Sequence, residues 1–75
     1  MIAFLLLVTK TGKEINVAEK LLKEKIVQES NIVYGEYDII LKVKTRNMKE
    51  LQDFVISLRR NKNIERTITM ISVES

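Results

Sequence analysis

Residues 2 to 9, Ile-Ala-Phe-Leu-Leu-Leu-Val-Thr, form an unbroken apolar run. The run is too short for a buried helix and stops at Thr-Gly, so it predicts a central strand covered on both faces. Thr11-Gly12-Lys13-Glu14 has the spacing of a capping box and predicts a helix from there to about Glu24. Ile15, Val17, Ala18, Leu21 and Leu22 make its apolar face, while Lys13, Asn16, Glu19, Lys20 and Lys23 take the opposite arc. Ile26 to Tyr34 reads as a second strand whose polar middle, Gln28 to Asn31, marks an edge position or a bulge. Gly35-Glu36 predicts a tight turn into a strand over Tyr37 to Thr45, with Tyr37, Ile39, Leu41 and Val43 on one face. Asn47 stands three residues before Glu50, and Met48, Leu51, Phe54, Val55 and Leu58 then recur at helical spacing, which predicts a second helix to about Asn61. Asn63 tolerates the left-handed conformation after it. Ile64 to Val73 closes the chain as a strand, with Ile68 and Met70 on one face and Thr67, Thr69, Ile71 and Val73 on the other.

The order strand, helix, strand, strand, helix, strand defines an α+β ferredoxin-like plait, a four-stranded antiparallel sheet with two helices on one face. Two helices cover only one face of such a sheet. Strands one, three and four nevertheless carry apolar residues on both faces, so the uncovered face calls for a partner. A second copy of the chain packed sheet to sheet supplies one, because a two-fold contact uses the same patch twice. Ile56, on the polar arc of the second helix, marks another contact or an ordinary exposed apolar residue.

Residues 1–75 are expected to form a single domain, and a core in so short a chain is marginal enough to favour oligomerisation. The chain lacks Cys, His, Pro and Trp, which removes disulfides, the common zinc sites and any mechanism that needs a thiolate or an imidazole. Its 13 Lys and Arg against 10 Asp and Glu leave a net charge of +3, with no long basic block. The densest group, Arg59, Arg60 and Lys62, is accounted for as an offset to the helix dipole. One basic turn is a weak nucleic-acid footprint, and the aromatics Phe4, Tyr34, Tyr37 and Phe54 make no base-stacking motif, so RNA is not an expected partner. No segment has the length of a membrane span or the form of a signal peptide, and a cytoplasmic location follows as the expectation.

The segment Tyr34-Gly35-Glu36-Tyr37-Asp38 is the most distinctive. A glycine allows a ligand close to the backbone, turn N–H groups accept a carboxylate, and Asp38 pairs with an ammonium, which together recognise the part common to amino acids. The plainer reading, that Gly35 supplies a positive φ and Asp38 caps the turn, is favoured by the residues alone. Thr67 and Thr69 point to one face and could touch a ligand or a neighbouring subunit, but threonine is also a good strand former. Glu36 and Asp38 have too few oxygen partners for a divalent cation, so neither a metal nor a cofactor is expected. A small dimeric plait enzyme of the oxygenase or isomerase type is the rival reading, with no His to support it, and a ligand-free structural oligomer is the third.

Ile32 to Val43 and Ile64 to Thr69, in this topology, resemble the effector (RAM) domain of the Lrp/AsnC transcriptional regulators, as a stand-alone copy. The shared marks are a glycine followed three residues later by aspartate at the hairpin, and threonines at alternate positions of the last strand. The resemblance implies dimers built through the sheets, assembled into rings such as an octamer of four dimers, with an amino acid bound between neighbouring dimers. It implies that Gly35, Tyr37 and Asp38 contact the ligand and that Thr67 and Thr69 complete the pocket. Tyr34 stands where the family often has a small hydroxyl residue, and its ring would narrow or fill that pocket. The first strand begins at residue 2 with no recognition helix before it, so direct operator binding is not expected. The function implied is a non-enzymatic amino-acid-sensing module that acts through ligand-dependent assembly or through mixed assembly with full-length relatives.

Overall fold

In the computed structural model, which describes residues 1–73, the chain forms β1 (Ile2–Thr9), α1 (Glu14–Leu22), β2 (Val27–Ile32), β3 (Ile39–Lys44), α2 (Met48–Arg59) and β4 (Ile64–Ile71). The four strands make one antiparallel sheet in the order β2-β3-β1-β4. This is the plait that the apolar pattern predicts.

Alternation decides which side chains enter the core. β1 buries Ala3, Leu5, Leu7 and Thr9, and β3 buries Ile39, Leu41 and Val43 on the same face. Val17, Ala18 and Leu21 of α1 and Leu51, Phe54 and Leu58 of α2 pack against them in one cluster. The Ser30 hydroxyl ties β2 to α1 by donating to the Ala18 carbonyl at 3.0 Å. β2 lies at the sheet edge and carries a register shift between Val27 and Glu29, as its polar middle predicted.

The two helix starts differ. Asn47 caps α2: its side-chain oxygen accepts the Glu50 N–H at 2.9 Å. The Glu50 carboxylate accepts the backbone N–H of Arg46 at 3.0 Å and the Arg46 guanidinium. Those bonds, the backbone one first, hold the Glu50 carboxyl below the usual carboxylate range. Because its folded pKa is lowered, this clamp is intact above the ordinary carboxylate range and is lost as pH falls through the lowered value. At α1 the expected capping box does not form. Lys13, not Thr11, is the N-cap, and no side chain caps it. Gly12, at φ +84°, closes a turn in which the Lys13 N–H donates to the Lys10 carbonyl, and this turn takes Thr11 out of capping position. Asn47→Ala should therefore cost about 1 kcal/mol. Thr11→Ala should change stability by less than about 0.5 kcal/mol, as surface substitutions do. Urea unfolding of both variants checks the assignment.

Other boundaries are also tighter than the pattern implied. α1 stops at Leu22, and its apolar stripe narrows to Val17, Ala18 and Leu21, leaving Ile15 and Leu22 exposed. α2 stops at Arg59, with Met48 exposed, and β4 stops at Ile71, with Val73 beyond it in solvent. No residue other than glycine has a positive φ among those described, so Asn63 does not turn left-handed. The bend is made instead by the Asn61 side chain, which accepts the Asn63 N–H at 2.9 Å.

The sheet face opposite the helices carries Phe4, Leu6 and Val8 of β1, Ile40 of β3, and Ile68 and Met70 of β4. Leu6 stands directly between Ile40 and Ile68, and Phe4 faces Met70. Phe4 is 36% and Met70 51% exposed. Charged residues frame the patch: Lys42 paired with Glu29 at 3.8 Å, Lys44, and Arg66 opposite Val8. Among the described residues, no element covers this face.

Candidate functional site

β1 ends, β3 begins and α1 begins at one end of the sheet, where Leu7 pairs with Ile39 and Thr9 with Ile64. The link between β2 and β3 spans residues 33–38, a longer loop than the tight turn expected at Gly35-Glu36. Asp38 pins this loop through three groups. Its N–H donates to the Leu7 carbonyl at 2.8 Å, its carbonyl accepts the Val33 N–H at 2.9 Å, and its Oδ2 accepts the buried Thr9 N–H at 2.8 Å. The Thr9 hydroxyl adds a longer contact to the same oxygen at 3.4 Å. Both sequence readings of Asp38 are therefore compatible with its position: one oxygen is structural, and the residue remains at the surface of the loop.

Gly35 adopts φ +133°, a conformation that L side chains rarely take, and a Cβ there would meet no atom within 4 Å. Its requirement within the chain is thus backbone conformation and not space. Tyr34 projects fully into solvent at the loop tip. Tyr37 turns toward β4, where its hydroxyl accepts from Arg66 Nη2 at 3.2 Å and its ring centroid lies 5.6 Å from the Arg66 guanidinium carbon.

A hollow of about 370 Å³ opens beside the loop, lined by Gly12, Glu14, Ile15, Ile32, Val33, Tyr34 and Asp38. Tyr34 stands on its wall. Glu14 and Ile15 are residues that the sequence pattern assigned to helix capping and to the core. The signal that could have placed them here is the Gly12 turn, which sets the first turn of α1 beside the hairpin. Thr67 is not part of this hollow. It pairs with Leu7, so two strand spacings, about 10 Å, separate it from Ile39, and it lines a separate recess with Arg59, Ile64, Glu65 and Arg66. Thr69 lies two residues farther along β4, opposite Leu5. Of the predicted residues, the hollow brings together Tyr34 and Asp38; Gly35 is not among its lining residues, Tyr37 turns away to Arg66, and both threonines lie on β4.

Among the described residues, no group of three or more Asp or Glu side chains is placed to hold a metal ion, and no helix is long and apolar enough to cross a membrane.

A family profile described as the Lrp/AsnC ligand binding domain matches residues 2–75. The chain is 35% identical over 75 residues to the HTH-type transcriptional regulator FL11 of Pyrococcus abyssi, covering all of this chain and 50% of that protein. It thus spans about half the length of the curated relatives it matches. Its fold superposes on the crystal structure of FFRP-DM1 with a TM-score of 0.92 at 46% identity, covering 96% of this chain and 97% of the other. AsnC of E. coli gives a TM-score of 0.89 at 25% identity, covering 99% of this chain and 51% of that one.

Proposed function

The chain belongs to the Lrp/AsnC family through that family's ligand binding domain, and from this premise we propose that it is an amino-acid-sensing oligomerisation module without catalytic activity. Members of the family are transcription regulators that bind small effectors and form oligomers. The observation that carries the reading is the hairpin hollow, where a carboxylate fixed by the β1 backbone stands among Ile15, Ile32 and Val33. A carboxylate beside apolar walls suits an ammonium group attached to an aliphatic body. In this reading Asp38 takes the ammonium and the loop around Gly35 lies against the ligand. Tyr34 shapes the mouth and Tyr37 holds the loop to β4. Thr67 and Thr69 complete the pocket from a neighbouring chain, because their own chain keeps them on the far side of β1.

Assembly enters through the open sheet face. Its apolar stripe buries itself on the same stripe of a second copy, and dimers joined through their hairpins make a larger ring such as an octamer. The ring surface is one that DNA-binding relatives share, so mixed assembly gives this domain a route to transcription.

The test is a thermal-shift screen of the purified chain against the twenty amino acids, with light scattering on each hit. A selective upward shift is expected, since a ligand that binds only the folded assembly stabilises it by about 2.7 kcal/mol at a hundred times its Kd. Stable oligomers that no amino acid shifts would reduce the proposal to a structural role. Failure to co-purify with any DNA-binding relative would remove the mixed ring and leave the sensing role standing.

A further inference from the structure

A groove separates α1 from the C-terminal half of α2 on the helical side of the molecule. It shares no lining residue with the hairpin hollow. Its volume is about 650 Å³, inside the range of roughly 300–1,000 Å³ typical of small-molecule sites. Lys20 and Lys23 stand on one wall, Arg60 and Lys62 on the other, and Glu24 is the one carboxylate among the lining residues. The ion pairs among the described residues are Lys42 with Glu29, Arg46 with Glu50 and Lys49 with Asp53, so none of the four groove cations is paired. The whole chain has 13 cations and 10 anions, and setting the groove aside leaves nine of each. The surplus of three positive charges in the groove lining thus equals the net charge of the whole chain.

Offset of the helix dipoles does not account for it. Each helix C-terminus carries about −0.5 charge, so two helices balance roughly one of the three surplus positive charges. A surplus of about +2 is left between two walls, where like charges repel and a bound anion relieves the repulsion. The positive groups are mostly ammonium point charges spread along the groove, which suits a ligand with several anionic groups in a row better than a single carboxylate gripped by one guanidinium fork. Asn16 and Asn63 add amide groups to the same lining. A nucleic acid duplex fits less well, because its binders commonly neutralise about six or more phosphates and the groove offers four cations.

We propose that the groove between α1 and α2 binds a phosphorylated small molecule, its di- or triphosphate group lying across Lys20, Lys23, Arg60 and Lys62.

Isothermal titration with sodium triphosphate and with ATP, at about 50 mM salt and again at about 200 mM, tests this. Binding by both probes is expected, weaker at the higher salt. A tighter fit for ATP shows that the body of the ligand also enters the groove. Lys20→Gln with Arg60→Gln should weaken ATP binding at least tenfold. Lys10→Gln with Lys25→Gln, an equal loss of charge outside the groove, should change it less than twofold. All four positions are exposed, and melting of each variant verifies that it folds, with the single change Lys62→Gln as the substitute where the groove pair does not. No heat from either probe at low salt, equal weakening in both pairs, or a short DNA duplex that binds more tightly than ATP would overturn the proposal.

Discussion

Leu6→Lys is expected to split the proposed sheet-to-sheet dimer into monomers. Leu6 is the centre of the open sheet face, flanked by Ile40 on one strand and Ile68 on the other. In a two-fold contact the substitution is present twice. Two ammonium groups then meet inside an apolar interface, a juxtaposition that costs several kcal/mol. At about 1.4 kcal/mol for each factor of ten, the dimer should weaken by roughly a thousandfold or more. The isolated fold should survive, because Leu6 points away from the core of Leu5, Leu7 and Leu41 and a lysine stem can lie along the sheet with its head in water. Analytical ultracentrifugation over a range of concentrations reads the change. Ile56→Lys is the comparison: Ile56 is an exposed apolar residue on the outer side of α2. If Ile56→Lys rather than Leu6→Lys splits the oligomer, the helix layer is the contact and the sheet-to-sheet dimer is wrong.

Such a loss would also show how far the chain depends on assembly. The buried side chains come from both helices and all four strands, yet they form a single small cluster. Small domains of this size gain only a few kcal/mol from one core. The variant's urea midpoint should therefore fall with its oligomeric state and lose its dependence on protein concentration.

The plait was legible in the sequence because its two periods are clean. Ile39, Leu41 and Val43 alternate with Ile40, Lys42 and Lys44, and that alternation alone says which face of β3 is buried. Leu51, Phe54 and Leu58 do the same for α2, and Asn47 announces its start. What escaped was chain geometry that depends on one backbone angle or on a neighbour. The spacing of Thr11 and Glu14 satisfies the capping motif, but the positive φ of Gly12 spends those residues on a turn. Ile15 and Leu22 fit a five-residue stripe, yet a nine-residue helix laid on a sheet buries only the three residues directly beneath it. Asn63 looked suited to a left-handed bend, and a side-chain bond from Asn61 made that bend unnecessary.

The site was half legible for the same reason. Gly35 and Asp38 signal themselves by residue type. Glu14 and Ile15 join Asp38 in the hollow only because the Gly12 turn brings the start of α1 to the hairpin. The threonines share a face with each other, as alternation requires, but β1 stands between them and Asp38. To share one pocket with Asp38 they would have to come from a second chain, and no single sequence carries the position of its neighbour.

Asp38→Asn and Asp38→Ala are expected to separate the two jobs of that residue. The alanine removes the oxygen that accepts the Thr9 N–H at 2.8 Å and strands a buried donor, a loss of about 1–3 kcal/mol. In a marginal domain this alone should lower the melting point clearly. The asparagine keeps a side-chain oxygen for Thr9 and so should retain most of that stability, while its charge is gone. An ammonium ligand would then face a neutral amide where it needs a carboxylate, and hydrogen bonds to charged groups are roughly twice as strong as neutral ones. The amino acid that stabilises the parent chain should therefore give little or no thermal shift with Asp38→Asn, although that variant melts near the parent in its absence. An undiminished shift would mean that the ammonium is held elsewhere and that Asp38 serves only to pin the hairpin to β1.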